Sequence, residues 1–175
     1  KVHANEVMLL TTDHVVADAD GTFLTRCVNG KGFRENIPVI YEELKNTDPD
    51  LLSPLTLAFI GDTVFDLLVR GNLVMQANRP VGKLHPLAAK RVCAAAQARA
   101  AQVIAPALTE HEADIYRRGR NAHTGRVPKS ASSAEYHSAT GLEALFGWLY
   151  LSGQDKRIEE LFEHISNAEK ADEVK

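Results

Sequence analysis

Two long apolar stretches, each with an acid near a glycine in its interior, constrain the fold of this chain most strongly. The first runs from Leu55 to Val69 and contains Gly61 and Asp62. The second runs from Ser133 to Leu151 and contains Glu143 between Gly141 and Gly147. Glycine inside a helix costs roughly 1 kcal/mol relative to alanine, so its use there often marks the close approach of another helix or of a substrate. The sequence therefore predicts two helices that meet at their glycines and carry their acids to that contact.

Each acid also has a structural interpretation when it is considered alone. Asp62 could pair with an arginine, and Glu143 could face water at the edge of its helix. Two acids on two apolar, glycine-marked helices favour a shared site instead, and such a pair suits a hard cation such as magnesium. The ion could generate hydroxide and stabilise charge on a phosphate. The residues alone lead to a metal-dependent phosphate site and no further.

The periodicity of the remaining sequence predicts one helical domain over residues 51–167. It is preceded by a small N-terminal extension, residues 1–50, which is rich in strand-forming residues and has a turn signal at Asp20–Gly21. A charged tail, residues 168–175, is expected to fray. The fold class is therefore all-α with a β-rich extension of open role. Further helices are predicted at Leu84 to about Ile104, Thr109 to Arg118 and Lys156 to Asn167.

A cluster of cations stands out on a chain whose net charge is −3. The window from Tyr116 to Lys129 contains five cations and no acid, and Gly119 and Gly125 predict a loop there. Arginine forks bind phosphate oxygens well, and the lack of interleaved aromatic residues favours a duplex backbone over stacked single strands. The alternative is a solvated loop that pairs with the acidic extension.

Several other classes of protein are disfavoured by the sequence. There is no HExxH, no Walker loop and no GxGxxG motif. Cys27 and Cys93 lack zinc spacing and are expected to be free thiols in a reducing cytoplasm. No stretch has the length of a membrane span. We expect a cytoplasmic protein without a membrane partner.

The chain resembles the Mini-III ribonucleases, the short members of the ribonuclease III superfamily. The similarity follows the family's order over roughly residues 51–165 and does not cover residues 1–50. The matching segments are Ala58 to Arg70, Leu84–His85, the alanine-rich run ending at Arg99, Arg117 to Ala122, Pro128–Lys129 and Tyr136 to Tyr150.

This resemblance implies a ribonuclease III catalytic fold that acts as a homodimer. It implies magnesium-dependent cleavage of both strands of double-stranded RNA, with Mn²⁺ as an alternative ion, and a role in the maturation of precursor 23S ribosomal RNA. Asp62 and Glu143 match the family's catalytic, metal-binding acids. Longer ribonuclease III enzymes carry three more acids, at positions that hold Leu55, Ala58 and Thr140 here. Water and RNA oxygens are therefore expected to supply more of the metal's coordination shell.

The resemblance also implies that RNA is held without a separate double-stranded-RNA-binding domain. The apolar helices around Phe59 and Trp148 are candidates for the dimer interface. Two alternatives remain open: a non-catalytic RNA-binding or ribosome-associated protein on the same fold, and an unrelated helical interaction module. The expected RNA contacts are Arg117, Arg118, Arg120 and Asn121, together with His85, Gln97 and Lys129.

Overall fold

A computed structural model describes residues 14–17, 23–26, 48–122 and 132–173, with side chains described through residue 171. The chain divides into two compact units, Lys1–Thr47 and Asp48–Lys175. Their boundary falls inside the polar segment Asn46–Asp50, which separates the extension rich in strand-forming residues from the sequence with helical periodicity. In the first unit, strands β1 (His14–Ala17) and β2 (Phe23–Arg26) pair antiparallel, with His14 opposite Arg26. Most of residues 1–47 lies outside the described residues, so a β-rich extension as a whole stays a prediction.

The described part of the second unit is helical. Ser53 caps the first helix, where its side chain accepts from the Thr56 N–H at 3.1 Å. Thr109 and Ser132 form capping boxes with Glu112 and Glu135, so the helix start expected at Thr109 is confirmed. The helices are α1 (Pro54–Gln76), α2 (Val81–Val92), α3 (Ala94–Ile104), α4 (Glu110–Arg120), α5 (Ser133–Leu151) and α6 (Asp155–Glu173).

Two helix boundaries differ from the sequence prediction. The single helix expected from Leu84 to Ile104 is wrong, because Cys93 is extended (φ −70°, ψ 154°) and separates α2 from α3. The last helix continues to Glu173 instead of fraying after Asn167. Arg91 of α2 forms an ion pair with Glu169 at 2.5 Å, which ties this last part of α6 to the domain.

Helix α5 lies at the centre of the domain and packs against α1, α3 and α4. Its residues Leu142, Ala144, Leu145, Phe146 and Leu149 are fully buried. Phe65 of α1 packs edge-on against Phe146 at 5.4 Å and against Phe162 of α6 at 6.1 Å. Among the described residues, no helix is long and apolar enough to cross a membrane.

Candidate active site

The contact between α1 and α5 is made through glycine. A methyl group on Gly61 would overlap the backbone oxygen of Glu143 and would lie 2.7 Å from the Gly147 nitrogen. A methyl group on Gly147 would overlap the backbone oxygen of Leu57. The two backbones therefore approach more closely than any side chain at these positions would allow. The predicted meeting of the two helices at their glycines is confirmed, and it brings Asp62, next to Gly61, beside Glu143.

Glu143 is the more enclosed of the two acids. Its burial, and then the negative charge of Asp62, raise the pKa of Glu143 from 4.5 to about 7, although a contact with Gln97 acts to lower it. Because Asp62 influences Glu143 electrostatically, the two carboxyl groups are close in space. This proximity is what a shared site requires, and the shared site itself stays a prediction.

Asp62 is exposed, although it lies within an apolar stretch of α1. The protein still surrounds its carboxyl group in part. This partial burial, and then the charge of Asp66, raise the pKa of Asp62. Asp62 therefore lies on the solvent-exposed side of the site, and Glu143 lies on the side enclosed by protein.

Asp66 is a nearby acid that the sequence analysis did not single out. It lies four residues after Asp62 on α1, a spacing that places both side chains on one helix face and could have identified it. Its Oδ2 accepts from the Arg70 Nε at 2.6 Å, while its Oδ1 is buried without a hydrogen-bond partner among the described residues. The ion pair with Arg70 makes Asp66 a charged neighbour of Asp62 rather than a free ligand.

Gln97 of α3 lies on the enclosed side of the site. Its side chain is 1% exposed and is close enough to Glu143 to lower the pKa of that acid. Its Nε2 nevertheless has no hydrogen bond of ordinary geometry within the described residues. The Gln97 side chain is therefore near Glu143 without forming a regular hydrogen bond to it. Gln97 was expected to contact RNA. Its burial leaves that contact untested and favours a role in supporting Glu143.

The donor set suits a hard divalent cation that keeps much of its water. The described residues contain no group of three or more His, Cys, Asp or Glu arranged to hold a metal. Magnesium, however, is commonly bound by one or two carboxylates with water and substrate oxygens completing the shell. Two acids that repel each other gain from a cation between them, so Asp62 and Glu143 fit this ion.

The arginine cluster, Arg117, Arg118 and Arg120, lies on a helix and not on a loop. The loop prediction is wrong for these residues because Gly119 does not break α4. A methyl group there would lie 2.5 Å from the Ala144 Cβ and 3.0 Å from the Thr140 oxygen, so glycine serves the close contact with α5. The cluster forms the last turn of α4, and Asn121 follows as its C-cap.

Members of the cluster differ in what they contact. Arg117 pairs with Asp114. Arg118 is half-buried and donates to the backbone oxygens of Asp50 at 3.3 Å and Leu52 at 3.4 Å. Arg120 is exposed. Arg120 is therefore the most available to a ligand, and Arg118 also holds the segment before α1.

Trp148 lies on one of the two apolar helices expected at a dimer interface; that interface stays a prediction, but the ring itself is covered within one chain. The ring is 8% exposed, and its Nε1 donates to Asp50 Oδ1 at 2.7 Å. His111 also contacts that oxygen at 3.0 Å and packs edge-on against the Trp148 ring at 4.8 Å. Trp148 therefore fastens the segment before α1 to the domain. Phe59, the other expected interface residue, is 82% exposed.

Two of the expected RNA contacts remain. His85 is exposed on α2. Lys129 lies outside the described residues, as does the sequence around Gly125. Both stay predictions.

Comparison with known proteins gives a consistent result. Residues 55–154, a range that includes both acids, match the ribonuclease III domain family. The chain is 44% identical over 132 residues to the Mini-ribonuclease 3 of Thermoanaerobacter sp. (strain X514), covering 75% of this chain and 90% of that relative. It is 45% identical over 120 residues to the Mini-ribonuclease 3 of Symbiobacterium thermophilum, covering 69% and 92%. A crystal structure of a Fusobacterium nucleatum protein superposes with a TM-score of 0.62 at 29% identity, covering 73% of this chain and 99% of that one.

Proposed function

We propose that this chain, which belongs to the Mini-ribonuclease 3 group of the ribonuclease III domain family, cleaves double-stranded RNA with a divalent metal ion. The family itself makes the chain an endoribonuclease. The observation that carries the proposal is the convergence of Asp62 and Glu143 at the glycine contact between α1 and α5. The proposed ion is Mg²⁺, with Mn²⁺ as an alternative.

Asp62 and Glu143 would hold the ion between them, Asp62 from the open side and Glu143 from the enclosed side. When bound, such an ion activates water and stabilises negative charge on the phosphodiester being hydrolysed. Glu143 must lose its proton to act as a ligand, so with a pKa of about 7 in the metal-free protein, competition from the proton should weaken ion binding progressively below that pH. Gln97 supports this side chain from behind and keeps the enclosed side of the site filled with protein.

The arginine cluster and Asn121 are the proposed contacts to the RNA backbone, with His85 and Lys129 as further contacts. Packing of Gly119 against Thr140 and Gly141 holds the end of α4 against α5, three and two residues before Glu143 along the chain. A duplex bound across this turn would pass near the acids. Replacing Arg120 with Ala should reduce the slope of log K for duplex binding against log salt concentration by about 1, the amount expected for one lost phosphate contact. An unchanged slope would remove Arg120 from the RNA surface.

A homodimer is proposed because α1 exposes apolar residues that a monomer has no reason to expose. Leu55, Phe59 and Leu67 of α1 are 40%, 82% and 66% exposed, and Leu55 and Phe59, four residues apart, share one helix face. Two chains joined there would present two sites, one for each strand. Phe59→Asp should shift the particle from twice 19.2 kDa to 19.2 kDa in light scattering. A dimeric Phe59→Asp variant would contradict this interface.

The proposed natural substrate is precursor 23S ribosomal RNA in the cytoplasm, as the resemblance to Mini-III enzymes implies. Incubation with the base-paired ends of that precursor tests this directly. Cleavage of an unrelated duplex at an equal rate would argue against a dedicated substrate while leaving the activity itself intact.

The experiment for the activity uses a defined RNA duplex with Mg²⁺ or with a chelator. We expect cleavage by the unaltered protein in Mg²⁺ alone, and a loss of at least about 100-fold for Asp62→Asn and Glu143→Gln, since a metal site supplies several kcal/mol to the transition state. Glu163→Gln, an exposed acid on α6, is the control and should cleave normally. Normal cleavage by Asp62→Asn would refute the assignment. Duplex binding without any cleavage would instead support the non-catalytic alternative.

A further inference from the structure

A second concave site lies away from the two acids, where the end of α1, α2, α3 and α6 meet. The cavity has a volume of about 360 Å³, and neither Asp62 nor Glu143 lines it. Its charge is one-sided, because five cations and one acid of the described chain line it. These are Arg79, Lys90, Arg91, Arg99, Lys170 and the acid Glu169.

The acid in the cavity wall is already engaged. Glu169 pairs with Arg91 Nη2 at 2.5 Å, and Arg91 Nη1 donates to Asn72 Oδ1 at 2.9 Å. Within the part of the chain that the structure describes, no ion pair is formed by Lys90 or Lys170. Arg99 interacts electrostatically with Glu135, so Lys90 and Lys170 are the two cations of the wall that the described residues leave most available to an anion.

Two buried donors in the same wall have no partner among the described residues. Ser166 is 6% exposed, and its Oγ makes no hydrogen bond there. Arg91 Nε is also buried without a partner. Unpaired buried donors are costly, so two of them in the wall of one cationic cavity favour binding of an acceptor there.

We propose that this cavity, which we term the α6 cavity, is a binding site for a phosphate group. A phosphate supplies several acceptor oxygens and negative charge at one point, which matches a serine hydroxyl, an arginine N–H and two nearby ammonium groups. An apolar ligand would leave the donors unpaired, and a cation would be repelled. The inference does not depend on the metal site.

The phosphate can come from two sources that share this chemistry. One is a backbone phosphate of an RNA duplex that extends beyond the active site. The other is a small phosphorylated molecule, for which a volume of about 360 Å³ leaves room beside the phosphate itself.

The test is a titration of the full chain with inorganic phosphate at constant ionic strength, followed by thermal unfolding and calorimetry. At about ten times the Kd, phosphate should raise the Tm by about 3 °C or more. Lys90→Gln/Lys170→Gln should lose most of this shift. The matched control, Lys83→Gln/Lys156→Gln, removes the same charge from exposed positions outside the cavity and should keep it.

Ser166→Ala separates ligand binding from a structural role. Without phosphate this variant should be as stable as the unaltered protein or more so, since it removes an unpaired hydroxyl. With phosphate its Tm shift should be smaller. An equal phosphate shift in all these variants would overturn the proposal, because phosphate also stabilises proteins without a specific site.

Duplexes of two lengths distinguish the sources. If RNA fills the cavity, Lys90→Gln/Lys170→Gln should weaken binding of a long duplex and lower its salt slope by about one contact, with little effect on a short duplex. If a small molecule fills it, the same variant should bind both duplexes normally while losing its response to phosphate. Either result supports a phosphate site.

Discussion

Replacement of Glu143 by Gln in the metal-free protein should change how folding stability depends on pH. The pKa of Glu143 is raised from 4.5 to about 7 by burial and by the charge of Asp62. Between these two values the folded protein keeps the Glu143 proton and the unfolded chain releases it. The unfolded state then binds fewer protons, so stability falls as the pH rises through this window. The amide of the Glu143→Gln variant cannot titrate, and this part of the fall should disappear.

The magnitude follows from the shift. One pKa unit corresponds to about 1.4 kcal/mol, and a change from 4.5 to about 7 therefore gives an upper value of about 3 kcal/mol. Because Glu143 is not fully buried, solvent reduces this figure, and we expect about 2 to 3 kcal/mol. For a chain of this length that corresponds to roughly 5 to 10 °C in Tm.

The assay is urea unfolding followed by circular dichroism, with a chelator present, at about pH 5 and at about pH 8. The unaltered protein should lose about 2 to 3 kcal/mol more than Glu143→Gln between these conditions. Glu163→Gln, in which an exposed acid of α6 is replaced, should follow the unaltered protein. Equal pH profiles for the unaltered protein and Glu143→Gln would refute the reasoning that this acid is held in an enclosed, negatively charged setting.

Three other predictions rest on the described contacts. Gly61→Ala should destabilise the protein by about 3 kcal/mol or more in urea unfolding, since its methyl group would overlap the α5 backbone. Gly71→Ala, with nothing within 4 Å, should instead stabilise it by about 0.5–1 kcal/mol, and similar effects at both glycines would argue against the close contact. Arg157→Ala should cost about 3–5 kcal/mol, because it leaves the 3% exposed Glu112 without its partner; a loss below about 1 kcal/mol would contradict this. Asp62→Asn should lower the pKa of Glu143 below about 7 in a carboxyl NMR titration, and an unchanged midpoint would separate the two acids.

The helix pair and the position of its acids could be predicted from the sequence because the signals are local. Glycines inside apolar helices carry a known cost, and Gly61 and Gly147 do lie at a backbone contact between α1 and α5. Helix starts at Thr109 and Ser132 are likewise determined by capping residues close by in sequence. These features can be predicted from neighbouring residues alone, without the contacts made by residues distant in sequence.

The errors concern residues whose role is set by distant contacts. The hydrogen bond from Trp148 to Asp50, far away in sequence, was missed because no local pattern indicates it. Gly119 was interpreted as a loop residue, yet it serves the packing of α4 on α5. The break at Cys93 has no strong local signal, since alanine-rich sequence on both sides favours helix. In each case tertiary packing overrides the local preference.

Asp62 and Glu143 are proposed to hold one divalent ion together. Soaking crystals of the protein with Mn²⁺ and recording its anomalous scattering tests this most directly. We expect one strong peak bonded to carboxylate oxygens of both residues at about 2.1 Å, and no such peak in Asp62→Asn. A peak bonded elsewhere, or to only one of the two acids, would contradict it.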